Sequence, residues 1–172
     1  MPDVSAPMLA ATLAEADAVY RSTGVRFVWR RDGSPYAQLH VFISNDAGPP
    51  RDGTTTLGWL EFEQDVPGHS IHVSYSNAVR FMDQSREVVG AAAQKTVAER
   101  EYLLGRAMGR ALAHELGHYL LATKEHSSKG LLKGSRTAQE FFAVDRGAFA
   151  IPAIERRQIL ARLSKEADVA SR

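Results

Sequence analysis

The chain is expected to fold as an α+β domain, a small twisted mixed sheet of about four strands packed with helices. Three observations predict it. Apolar residues recur at three- and four-residue spacing near both ends of the chain, as helices require. Between those ends lie short alternating segments bounded by Gly, Pro and Asp turn residues, as strands require. A run of strands followed by a run of helices gives segregated layers rather than alternating βα units. The 172 residues suit one domain, 1–172, with a sizeable core and with residues 1–5 and 166–172 frayed.

Taken in order, residues 5–22 read as a helix. Leu9, Leu13, Ala16 and Tyr20 form its stripe, and Gly24 is a natural stop. Residues 25–31 alternate Val25, Phe27 and Trp29 against Arg26 and Arg30, which predicts a strand. Residues 39–43 predict a second, with Leu39, Val41 and Ile43 on one face. Asp32-Gly33-Ser34-Pro35 is the turn between them. Residues 45–56 form a polar Gly/Pro loop, expected to be the most mobile element and placed to gate a cleft or simply to cover the surface. Residues 57–62 and 70–75 predict two more strands around an Asp65-Val66-Pro67-Gly68 turn. Residues 78–97 read as helical with a break at Gly90. A strong helix follows through His118, then a short one at 137–144 and a last one at 151–163, with Pro152 at its opening.

Composition narrows the function. A net charge of +1, with 44% hydrophobic and 24% charged residues, gives no electrostatic case for nucleic acid or a membrane surface. The longest apolar runs are too short to span a bilayer. The absence of Cys removes disulfides, thiolate metal sites and Cys nucleophiles. The first twenty residues lack a basic region followed by an apolar one, so no secretion signal is present as written. The compartment is left open: cytoplasmic, or secreted if a leader has been removed.

The chemistry concentrates in His114-Glu115-Leu116-Gly117-His118. Leu103, Leu104, Ala107, Met108, Ala111, Leu112 and Leu116 recur at helical spacing, and no Pro interrupts them. On a helix, residues four apart share a face, so His114 and His118 can offer two imidazole nitrogens to one metal ion. Glu115 can hold a water on that ion. A catalytic zinc takes three protein ligands and keeps a fourth position for water, so a third ligand is required, and His126 sits just past the helix. The remaining histidines fit this less well. His69 and His72, three apart on a strand, point to opposite faces, and His40 reads as surface.

The run resembles the zincin metallopeptidases, and within them the metzincin-like branch. There a helix carries HExxH, the chain turns, and a third His follows above a tight turn containing Met. It is also similar to small bacterial proteins reading HE-hydrophobic-GH, a short turn, then H-S-x-x-G-(I/L)-M. Here the run is His114 to His118, then His126-Ser127, then Gly130-Leu131-Leu132. The likeness is close over about the middle fifth of the chain and only in outline elsewhere. Three features depart from the pattern. The third His is twelve residues after the first, where metzincins usually have ten. Leu132 replaces the Met, and no Gly marks the bend after His118. Leu supplies a similar apolar floor. A missing Gly costs something only if the bend needs a positive φ. The gluzincin branch would instead take its third ligand from a Glu, here Glu140.

The resemblance implies a zinc-dependent endopeptidase acting on a peptide or protein substrate; the sequence leaves the oligomeric state open, with a monomer as the expectation. His114, His118 and His126 are its metal ligands and Glu115 is its general base. The metal would lower the pKa of a water from about 15.7 towards about 7. Glu115 would take its proton and pass it to the leaving amine. Tyr75 and Tyr119 are candidate oxyanion donors. The edge strand that such domains run above the cleft would be 70–75, the last strand before the helices, and it would receive an extended peptide by strand addition. Two other functions fit the same trio: a zinc hydrolase of another amide, and a zinc-stabilised binding or regulatory protein without turnover.

Overall fold

The computed structural model describes residues 4–31, 38–49 and 55–170, with the side chains from 167 onward excluded. It is mixed α+β. The helices are α1 (Ala6–Tyr20), α2 (Tyr75–Gln84), α3 (Arg86–Val89), α4 (Val97–Leu121), α5 (Ala138–Phe142) and α6 (Ala153–Ala170). The strands are β1 (His40–Ser44), β2 (Gly58–Glu63) and β3 (Val66–Ser74). They form one sheet in the order β1-β3-β2, with β1 parallel and β2 antiparallel to β3.

Helix α4 is the spine. Thr96 opens it with a capping box, its hydroxyl accepting from the Glu99 amide while the Glu99 carboxylate accepts from the Thr96 amide. Its residues from Leu104 to Leu120 are almost all buried, because α1, α2, α5, α6 and the sheet surround it. The largest of these contacts is with α1. The two helices approach closely over Gly105 and Gly109. A Cβ on Gly109 would lie 2.5 Å from the Thr12 carbonyl oxygen and 2.6 Å from Glu15 Cβ. The small-x-x-x-small spacing that permits this crossing was present in the sequence and not recognised there.

The fourth expected strand, 25–31, is not one. Among the described residues the sheet has three strands, and residues 25–30 have no regular secondary structure and no ladder partners. The alternation has a different cause. Phe27 packs edge-on against Tyr20 at 5.1 Å, Trp29 lies 5.3 Å from Phe27, and the Trp29 indole donates to Asp17 at 3.1 Å. Period-two burial here comes from lying along α1.

The edge assignment also changes. Residues 70–75 were expected at the edge, but they belong to β3, the central strand. Pro67-Gly68 lies within that strand, and the chain reverses at Gln64-Asp65, where Gln64 takes a positive φ of 57°. The edges are therefore β1 and β2. His72 and Ile71 do face opposite sides. Ile71 is fully buried toward the helices, while His72 stacks between Trp59 and Phe42 at 4.9 and 5.2 Å. His69 shares the parity of Ile71 and meets the Tyr119 ring at 6.1 Å.

The break at Gly90 is real, with φ 79°. The last helix continues to Ala170, past the residue where fraying was expected. The Asp32-Gly33-Ser34-Pro35 turn and the centre of the 45–56 loop lie outside the described residues. The described stems of that loop are tied by the Asn77 amide, which donates to the carbonyls of Ala47 and Thr56 at 2.9 and 2.7 Å.

Replacing Gly109 with Ala tests the crossing. Helix propensity alone would favour Ala by about 1 kcal/mol. Overpacking against a backbone carbonyl costs about 1–3 kcal/mol, or more where the backbone must move. The net effect expected is a loss of stability in urea unfolding. A stabilised Gly109→Ala protein would show that α1 does not sit against α4 here.

Candidate metal centre

The site is built where α4 ends and the chain doubles back. Ala122 closes the helix in the left-handed region, with φ 48° and ψ 48°, and its amide donates to the Tyr119 carbonyl at 3.2 Å. The bend does need a positive φ, and it gets one from a residue with a Cβ, at a local cost of about 1–2 kcal/mol. The return strand is then pinned. The Ser127 amide donates to the Leu132 carbonyl at 2.9 Å, and the Leu131 amide to the Ala150 carbonyl at 3.0 Å. Gly130 takes φ 73° and passes so close to Ala150 and Pro152 that a Cβ would lie 2.9 Å from the Ala150 carbonyl oxygen. Both constraints require glycine. Leu131 and Leu132, buried, fill the space under α4 at Gly117, where an added Cβ would meet a methyl carbon of each at 2.9 Å. The motif's Gly117 and Leu132 therefore act together as a packed floor.

This brackets three imidazoles. The Nε2 atoms of His114 and His118 lie 3.0 Å apart, and those of His114 and His126 lie 3.3 Å apart. The ligand atoms of His114, His118 and His126 all fall within 4.8 Å of one another, a group that could hold a metal ion. Each helical His is oriented from behind. His114 Nδ1 donates to the Leu131 carbonyl at 2.8 Å, and His118 Nδ1 donates to the Thr123 carbonyl at 2.7 Å. A carbonyl only accepts, so both rings carry a proton on Nδ1, and in the neutral ring this leaves Nε2 as the ligand atom facing inward. Two Nε2 atoms at 3.0 Å need a proton or a metal cation between their lone pairs. The donor set therefore fits a metal, and the carbonyl partners match the outer hydrogen bonds that metal-ligating histidines usually make. Gly134 packs on the third ring, where an added Cβ would lie 3.0 Å from His126 Cγ.

Electrostatics keep His114 in its ligand form. Burial, and next the neighbouring His118, push its pKa down to about 3, against the raising effect of the Leu131 hydrogen bond. Glu115 is buried beside β2. An added Cβ at Gly58 would lie 3.2 Å from Glu115 Cγ and 3.1 Å from the His72 carbonyl oxygen. Gly58 thus lets β2 approach the carboxylate side chain, and a lone Gly in a strand was the available signal for such an approach. Behind the site, the buried Tyr20 hydroxyl donates to the Ala113 carbonyl at 2.9 Å, one residue before His114.

Other sequence candidates lie elsewhere. Glu140 caps α5, its carboxylate accepting from the Thr137 amide at 2.8 Å and the Lys133 ammonium at 2.7 Å. It is not in the histidine group. Tyr119 directs its hydroxyl to the Gln38 carbonyl at 3.5 Å, and Tyr75 opens α2 packed against the core. Glu125 is exposed. The residue that sequence reasoning missed is Arg136, which binds the Leu131 carbonyl at 3.0 Å from the other side.

Two outcomes follow. Ala122→Gly should raise stability by about 0.5–1 kcal/mol in thermal or urea unfolding, since glycine carries no left-handed penalty. A loss of stability would show that the bend is not left-handed. In metal-stripped protein, the unfolded chain protonates His114 near 6.5 and the folded chain only near 3. Between those values the unfolded state binds more protons, so stability is full above about 6.5 and falls as pH drops toward about 3. Melting temperatures of wild type and His114→Gln across that window should show a shallower fall for the variant. Parallel curves would exclude His114 as the cause.

Comparison of the chain with protein-family models, with curated proteins and with solved structures found no match.

Proposed function

We propose that the protein is a zinc-dependent peptidase of zincin type, with His114, His118 and His126 as ligands and Glu115 as general base. The observation that carries the metal is the convergence of three imidazole Nε2 atoms, two of them on rings held by carbonyls from behind. Zinc fits the spacing. Nitrogens about 2.0–2.1 Å from one tetrahedral ion lie about 3.3 Å apart, against the 3.0 and 3.3 Å between these rings. Three imidazoles without thiolate suit a catalytic rather than a closed structural site. The HELGH and HS-x-x-GLL spacing adds its resemblance to metallopeptidases.

A bound zinc supplies Lewis acidity, which makes a water acidic enough to lose a proton near neutral pH and polarises a substrate carbonyl. The chain's own residues do the rest. Glu115 accepts the proton of the attacking water and returns it to the departing amine. Its burial beside Gly58 and Ala111 holds the carboxylate side chain in a restricted, partly desolvated place. β2 pairs only with β3 among the described residues, so its other edge can take an extended peptide by main-chain hydrogen bonds. Because Gly58 begins that strand, such a peptide would run past Glu115.

The experiment is zinc content and peptide hydrolysis, with and without chelator, in four proteins. Wild type should hold one zinc and cleave a peptide library. Glu115→Gln should hold the same zinc and lose about 10²–10⁴-fold in rate. His126→Ala should lose most of its zinc, while Glu140→Ala should keep zinc and activity but melt lower. Full zinc and full turnover in Glu115→Gln would sink the mechanism, and unchanged zinc in His126→Ala would sink the ligand assignment.

A further inference from the structure

Arg136 stands four residues past Leu132 on the loop that leads to α5. Its side chain is 3% exposed. One guanidinium holds three backbone carbonyls. Nη1 donates to Ala148 at 2.8 Å, and Nη2 donates to Leu131 at 3.0 Å and to Gly130. The Phe149 ring lies 3.8 Å under the guanidinium carbon and keeps the fork flat. The Leu131 carbonyl has two lone pairs, and the other one accepts from His114 Nδ1 at 2.8 Å.

The geometry points to Arg136 as a positioning residue for the metal centre: through the shared Leu131 carbonyl it fixes the plane and direction of the His114 ring. This rests on the metal reading above and adds a residue and a route to it. Without the guanidinium, the 130–131 turn, with Gly130 at φ 73°, would be held by fewer bonds and its carbonyl would be free to swing. The His114 ring would follow, since its orientation depends on that acceptor. A purely structural role is the poorer explanation. The buried Nε–H has no hydrogen-bond partner among the described residues, the carboxylate of Glu140 stands 3.9 Å from Nη1, beyond hydrogen-bond reach, and a buried cation so partnered is an inefficient packing group. What an apolar side chain cannot supply is simultaneous donation to several carbonyls. Lysine cannot supply it either, because its ammonium is a single point on a flexible stem.

The test uses the full chain with zinc and with cobalt(II) as probes. Arg136→Lys and Arg136→Gln are compared with wild type and with Arg146→Lys, whose guanidinium instead pairs with Glu15 at 2.6 Å. Folding is checked by circular dichroism, and Arg136→Lys decides if Arg136→Gln does not fold. Both Arg136 variants should bind zinc about 10–100-fold more weakly, as outer-shell changes at metal sites do, and should shift the visible cobalt bands. Arg146→Lys should do neither, even if it melts lower. A folded Arg136→Lys with zinc affinity within about twofold of wild type and unchanged cobalt bands would overturn the positioning role and leave the metal reading standing. A wild type that binds neither ion would overturn both.

Discussion

The two hydrogen bonds from ring Nδ1 atoms to backbone carbonyls are the constraint on which the site depends. His114 gives its proton to Leu131 and His118 gives its proton to Thr123. Each bond fixes the tautomer of the neutral ring, and together they aim two Nε2 atoms into a space shared with a third imidazole. Everything around them serves to keep those carbonyls in place. Ala122 accepts a strained conformation so that Thr123 follows at once, and Gly130 turns the chain so that Leu131 can face back. The floor of Leu131 and Leu132 against Gly117 holds the return strand at the right height.

The same logic extends outward to the buried arginines. Arg110 lies one helical turn before His114 and is fully buried. It donates to Glu15 on α1 at 2.7 Å and to the carbonyls of Glu140 and Asp145 at 2.6 and 2.7 Å. The Phe149 ring meets both guanidinium groups, its centre 5.1 Å from the Arg110 carbon and 3.8 Å from that of Arg136. Helix α4 thereby anchors the segment that carries Arg136, and Arg136 anchors the turn that orients His114. Desolvating two guanidinium groups is expensive, and carbonyl acceptors offset that cost while ordering chain that has little regular structure of its own.

Much of this was legible in the sequence. The helical spacing of His114 and His118 placed two rings on one face. The twelve-residue interval to His126 left enough chain for a return, and Gly130 and Leu132 marked the turn and its floor. The helix–sheet–helix order was legible too, since long periodic segments carry their own signal. Residues 25–31 misled because alternating burial against a helix has the same period as a strand in a sheet. The edge strand misled because pairing order is a long-range property: nothing local in 70–75 says that β1 and β2 flank it. Glu140 could be read as a ligand by distance along the chain, whereas its capping box with Thr137 is the local chemistry that claims it. Arg136 carried only the i,i+4 interval to Glu140, 3.9 Å away, because the carbonyls it holds are brought together only by the fold.

The central claim is that three imidazoles of this chain hold one zinc ion and leave a position for water. X-ray absorption at the zinc edge, on protein loaded with one equivalent, tests it most directly. The account predicts a shell of about three nitrogens at about 2.0–2.1 Å, with imidazole outer-shell scattering, completed by one oxygen. A shell of oxygens alone, or zinc that washes out without a defined shell, would contradict it.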